Sequence, residues 1–103
     1  MTQEIKLVQG FKGDLPYILN FNGINIDVSS NTTVYFNFTD RREVNRYSIR
    51  CRNGSQPYEV IIPFTNQTVN HGEFYGEFVI QTVHGKSIYP IEDRIHITIR
   101  KAI

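Results

Sequence analysis

Short runs in which every second residue is apolar recur along this chain, and they restrict it to folds built from strands. Successive side chains of an extended strand point to opposite faces, so alternation over about four to eight residues marks a strand with one face on a core. In "TVYFNFT" Val34, Phe36 and Phe38 take one face and Tyr35, Asn37 and Thr39 the other. "YSIRC" sets Tyr47, Ile49 and Cys51 against Ser48 and Arg50, and "YEVIIPF" sets Tyr58, Val60, Ile62 and Phe64 against Glu59, Ile61 and Pro63. The last run, "RIHITIR", is the most regular: Ile95, Ile97 and Ile99 face inward, and His96, Thr98 and Arg100 outward. Pro63 cannot donate to a ladder, which places its strand at a sheet edge or at its own end.

Two further strands are expected around "EIKLV" (residues 4–8) and "LPYILNF" (residues 15–21). The latter runs into Asn22–Gly23, a dipeptide that accepts positive φ at both central positions of a tight hairpin, so "INIDV" (residues 24–28) should pair back. "SSNTT" and "RNGSQP" (residues 52–57) read as loops. No window shows a sustained 3.6-residue apolar period, and the single alanine stands at position 102. Helix is limited to a turn within "TDRREVN" or "TNQTVNHG".

"GEFYGEFVI" (residues 72–80) interrupts an aromatic and β-branched run with two glycines. Phe74, Phe78 and Ile80 share a face with Gly76, while Tyr75, Glu77, Val79 and Gln81 share the other. Gly72 turns the chain out of "NQTVNH", and Gly76 removes a side chain where a neighbouring strand or ring comes close.

The 103 residues suffice for one domain, residues 1–103, but not for two cores. Composition is that of an ordinary globular chain, 40% hydrophobic and 20% charged, so burial of apolar surface is enough to fold it. A formal charge of +1 gives no field to steer the whole chain onto nucleic acid or anionic membrane. One cysteine excludes an internal disulfide and any multi-cysteine zinc site. The N-terminus lacks the apolar run of a signal peptide and no segment has the length of a membrane span, so synthesis in a reducing cytoplasm is expected. On that expectation the sequons at Asn31, Asn37, Asn53 and Asn66 stay unmodified.

No catalytic, cofactor-binding or metal-binding residue emerges. His71, His84 and His96 share no metal-ligand spacing, and Cys51 reads as a small core hydrophobe rather than a nucleophile. The acidic residues lack the every-second-residue arrangement of a calcium loop, and "EDR" (residues 92–94) reads as a polar turn. Arginine and tyrosine are more suggestive. Arg41, Arg42, Arg46, Arg50 and Arg52 crowd together, with Arg50 and Arg52 assigned to the solvent face of one strand. Asp40, Glu43 and Glu59 offset part of that charge, which argues against nucleic acid. Tyr17, Tyr35, Tyr75 and Tyr89 have outward phases, and exposed Tyr and Arg are enriched at protein interfaces. Tyr35, Arg50, Arg52 and Tyr75 are the expected interface residues.

The order of these motifs resembles the start of the N-terminal domain of tailed-phage upper baseplate proteins. The resemblance rests on a strand ending in Gln9–Gly10, then Leu19 and Gly23, then Asp27 between apolar residues, then Val34 and Phe36. "GEFYGEFVI", the turn "HG", "YP" and "RIHITI" are similar to that family's closing strands. "SSNTT" departs from the family's usual Thr-Gly-Ala after the Asp. About seven or eight short strands at regular spacing indicate an all-β fold, a β-sandwich or small barrel, and the resemblance implies the former, an immunoglobulin-like two-sheet antiparallel β-sandwich. It also implies a non-enzymatic structural protein of the bacteriophage virion that docks onto tail, baseplate or capsid subunits, whether as a capsid accessory, a fibre anchor or a self-associating unit. The alternative reading of the residues is a carbohydrate-binding module for host-surface glycans, with Tyr35 and Tyr75 stacking on sugar faces.

Overall fold

The computed structural model describes residues 3–28, 32–64, 71–91 and 93–103. Part of the expected "SSNTT" loop, most of the "TNQTVNHG" turn, the sequons at Asn31 and Asn66, and Glu92 of "EDR" lie outside the described residues. The described chain is all-β, with eleven strands and no helix. In order these are β1 (Glu4–Val8), β2 (Gly13–Ile18), β3 (Asn20–Phe21), β4 (Ile24–Asn25), β5 (Thr33–Asp40), β6 (Arg46–Arg50), β7 (Arg52–Asn53), β8 (Glu59–Phe64), β9 (Gly72–Thr82), β10 (Gly85–Tyr89) and β11 (Ile95–Arg100). Several are fragments, which is why the count exceeds the seven or eight expected: β3, β4 and β7 have two residues each.

The spine is β9, the segment with the two glycines. Along one side it pairs with all of β5, from Thr33–Gln81 to Asp40–Phe74. Along the other it pairs first with β11 and then with β10. The six-stranded sheet runs β1-β11-β9-β5-β6, with β10 also on β9; β2-β8-β7 form a second sheet and β3-β4 a third. All pairings are antiparallel except β1 with β11, which are parallel. These two strands are remote in sequence, so no hairpin imposes an antiparallel sense on them.

Alternation translates directly into burial. Val34, Phe36 and Phe38 of β5, Phe74, Phe78 and Ile80 of β9, and Ile95, Ile97 and Ile99 of β11 are all buried, as are Val60, Ile62 and Phe64 of β8. Buried residues from the three sheets form one hydrophobic cluster. Phe36 and Phe78 sit at its centre, both 0% exposed, with ring centroids 4.9 Å apart. Tyr17 of β2 reaches Phe78 at 5.0 Å and Phe64 of β8 reaches Phe38 at 6.4 Å, so the six- and three-stranded sheets share this core. Full burial of each phenylalanine contributes about 1.5–3 kcal/mol relative to exposure.

Local chemistry explains the joints. Asn22 has φ 55° and Gly23 φ 80°, the positive pair anticipated for the Asn-Gly hairpin, and Asn20 and Phe21 pair back on Asn25 and Ile24. "LPYILNF" is not one strand, however. It breaks at Leu19, whose N–H donates to Tyr58 O at 2.8 Å and whose carbonyl accepts from Ile26 N–H at 2.9 Å while the side chain is fully buried. Cys51 separates β6 from β7, and its N–H donates to Val34 O at 2.8 Å; there the chain leaves the six-stranded sheet and joins β8 through Arg52–Ile61. Pro63 is tolerated because β7 reaches only Val60 and Ile61, leaving the far end of β8 with β2 alone beside it.

Candidate functional site

The outward side chains of the six-stranded sheet are ordered in rows by strand register. Ser48, Asn37 and Glu77 form one row across β6, β5 and β9. The row on one side is Arg46, Thr39, Tyr75 and His96, and that on the other is Arg50, Tyr35, Val79 and Ile88. Tyr75 stacks on His96 with centroids 5.3 Å apart and planes 21° from parallel, and His96 Nε2 lies 3.5 Å from Glu73 Oε1. The tyrosine ring is therefore fixed from the β11 side.

Beside Glu77 the sheet is interrupted. β10 pairs as far as Tyr89–Phe78 and β11 resumes at Ile95–Gly76, so Glu77 of β9 falls between the two pairings, and the described residues Pro90, Ile91, Asp93 and Arg94 stand outside the ladder. Such an insertion into one strand re-aims side chains at the break. The excursion begins with a cis Tyr89–Pro90 peptide and carries Ile91 at 81% exposure. Its closing residue, Arg94, returns over the sheet to stand 3.5 Å from Glu43.

Glu43 belongs to the β5–β6 turn, which Asp40 organises. Val44 N–H donates to Asp40 Oδ1 at 3.0 Å and Asn45 Nδ2 to Oδ2 at 2.9 Å, while Glu43 N–H donates to Asp40 O at 3.1 Å. Desolvation pushes the Asp40 carboxyl pKa up, but hydrogen bonds from Val44, Asn45 and Arg42 outweigh it and hold the pKa below 3.8. Arg46 Nε donates to Glu43 O at 3.2 Å, tying the turn to β6.

The turn and Arg94 together wall a hollow of about 390 Å³ on the outer face, with Asn37, Thr39, Tyr75 and Glu77 along it and Arg46 at its rim. It adjoins a more open depression bordered by Arg41, Ile88 and Ile91. Behind the excursion lies a third hollow of about 490 Å³, floored by Phe21 and Tyr89, whose rings stack at 5.6 Å, and edged by Ile24 and Ile91. Two oxygens of residues lining the first hollow, Asn37 Oδ1 and Thr39 Oγ1, are buried from solvent without a hydrogen-bond partner. Among the described residues no three His, Cys, Asp or Glu side chains are grouped as a metal ion would require.

Of the four expected interface residues, only Tyr75 lines this hollow. Tyr35 and Arg50 face each other across β5 and β6 one row beyond the polar row. Arg52 is elsewhere: it does not share a strand with Arg50 but lies on β7 in the second sheet, paired with Asp14. The chain crosses between sheets at Cys51, so the run of arginines is not one patch. Tyr17 and Tyr89, expected outward, turn inward onto Phe78 and Phe21. Cys51 is packed against the core, and desolvation pushes its thiol up to about 12 against an opposing hydrogen bond from Phe36, so it is protonated at neutral pH. Glu77, Asn37, Glu43 and Arg94 were not among the expected residues. Their sequence signal was the mismatch between the tail of β9 and "YPIEDRI", too long to be a simple continuation of one strand.

Comparison with known proteins identifies no relative: no family model, no curated protein and no solved structure matches this chain.

Proposed function

We propose that this chain is a non-enzymatic structural module of a bacteriophage particle, synthesised in the bacterial cytoplasm, and that it docks onto tail, baseplate or capsid subunits. The fold reading that goes with it is an immunoglobulin-like sandwich of two sheets. Two features support that fold: the crossing of β6 into β7 at Cys51, and the union of the two ends of the resembling stretch, β1 and β11, in one sheet. The docking reading is carried by the excursion. Ile91 projects at 81% exposure, with Ile88 at 42% beside it and Arg41, Tyr75 and Arg94 around them. Apolar side chains ringed by Tyr and Arg have the composition of the energetic centre of a protein interface. In a symmetric particle, many copies make individually weak contacts persist.

The test is co-sedimentation of the purified protein with isolated capsid and tail fractions from its source, alongside light scattering of the protein alone. The wild type attaches to one fraction, and Ile91→Glu weakens attachment about tenfold or more while leaving the unfolding midpoint unchanged. Failure to attach to either fraction, together with absence from purified particles by mass spectrometry, defeats the proposal.

A further inference from the structure

We propose that the hollow between the β5–β6 turn and Arg94 binds a neutral saccharide, with Asn37 and Glu77 holding adjacent hydroxyl groups and Tyr75 packing against the sugar ring. This goes beyond docking through Ile91: it centres on Asn37, Thr39 and Glu77, and shares Tyr75 and Arg94 with that surface.

The polar row supplies the chemistry. A sugar hydroxyl both donates and accepts, so a pair of neighbouring hydroxyls is matched by a carboxylate next to a carboxamide. Glu77 and Asn37 are direct cross-strand partners, and Ser48 extends the row on β6. Among the described residues the Glu77 side chain has no ion pair or hydrogen bond. It also lies where the neighbouring strand is broken, with no ladder partner on that side among the described residues. Asn37 Oδ1 and Thr39 Oγ1 have no partner either. Buried oxygens left unpaired are costly, and a ligand donor that reaches them after a side-chain rotation removes that cost.

The surroundings select the ligand class. Rows on one face of a sheet are spaced by about 7 Å, two residues along a strand, so a ring bound over Asn37 and Glu77 has one flank against Tyr75. Because His96 stacks on the β11 side of Tyr75, the free face of that ring is turned along its row toward Thr39, and a sugar reaching from Asn37 and Glu77 over Thr39 meets it. A tyrosine combines an apolar face with a polar tip, which suits the C–H face and the hydroxyls of a pyranose. Among the described residues that line the hollow, Glu43 and Glu77 balance Arg46 and Arg94, which favours an uncharged ligand over a phosphate or a basic peptide. The volume of about 390 Å³ is at the low end for small-molecule sites, enough for one or two sugar rings.

The experiment is an amide NMR titration of the full chain with methyl glycosides of glucose, galactose, mannose and N-acetylglucosamine. At least one should give saturable shifts centred on Asn37, Thr39, Tyr75 and Glu77, with a dissociation constant of about 1 mM or somewhat weaker. Asn37→Ala, Glu77→Gln and Thr39→Val each weaken binding about tenfold while keeping the dispersed spectrum of the folded protein; Arg52→Ala, on the other sheet, leaves it unchanged. No saturable shift with any glycoside, shifts mapping elsewhere, or undiminished binding in all three variants overturns the proposal. So does loss of particle attachment in these variants without glycoside binding by the wild type, which assigns the hollow to a protein partner.

Discussion

Gly76 of β9 lies directly against the ring of Phe36 on β5. A Cβ at position 76 would stand 2.8 Å from Phe36 Cζ, 2.9 Å from Cε1 and 3.2 Å from Ile97 Cδ1. The ring is 0% exposed and packed against Phe38 and Phe78, so it has nowhere to move. Gly76→Ala should therefore destabilise the fold by about 1–3 kcal/mol through overpacking. Urea unfolding measures it, and in a Phe36→Leu background the additional cost of the alanine should shrink, because the two positions share one volume. Equal costs in both backgrounds would contradict the contact.

The alkaline limit of stability should carry the signature of two buried acids. Burial raises the Cys51 thiol from 9.0 to about 12 and the Tyr17 phenol from 10.0 to about 12. With folded values raised, both groups contribute fully below their unfolded values, and the contribution is lost as pH rises: from 9.0 towards 12 for Cys51 and from 10.0 towards 12 for Tyr17. Each group adds a slope of at most about 1.4 kcal/mol per pH unit. Denaturation midpoints between pH 8 and 10 should fall less steeply in Cys51→Ala than in the wild type. Parallel profiles would show that the thiol is not desolvated.

Acid should loosen the β5–β6 turn. Although desolvation opposes it, hydrogen bonding by Val44, Asn45 and Arg42 lowers the folded pKa of Asp40, so its contribution is present above the ordinary 3.8 and lost as pH falls through the lower folded value. Exchange of the Val44 amide hydrogen should lose protection in that range, and Asp40→Asn should show the same loss at neutral pH. Because this turn places Glu43 opposite Arg94, the variant should also broaden the Arg94 resonances.

The Arg52–Asp14 pair joins β7 to β2 across β8, with both side chains more than half exposed. Exposed ion pairs are screened and pay side-chain entropy, so Arg52→Ala or Asp14→Ala should cost less than about 1 kcal/mol. Thermal unfolding of the two single variants and the double variant gives the coupling energy. A coupling of several kcal/mol would mean that the pair is shielded from water in solution.

Periodicity determined which residues of β5, β8, β9 and β11 are inside. The inward phases of β5, β8, β9 and β11 are those read from "TVYFNFT", "YEVIIPF", "GEFYGEFVI" and "RIHITIR", because a period of two leaves a half-buried strand no other way to face. Asn22–Gly23 fixed its hairpin and Gly76 its close approach for similarly local reasons. What periodicity cannot carry is which strands become neighbours. The separation of Arg50 from Arg52 depends on a change of sheet at Cys51, and the inward turn of Tyr17 and Tyr89 on rings contributed by distant segments. The hollow depends on β10 and β11 sharing one side of β9 with a gap at Glu77. Register between segments remote in sequence is set by the packing of a common core, so only the tertiary structure could place Asn37, Tyr75, Glu77 and Arg94 around one space.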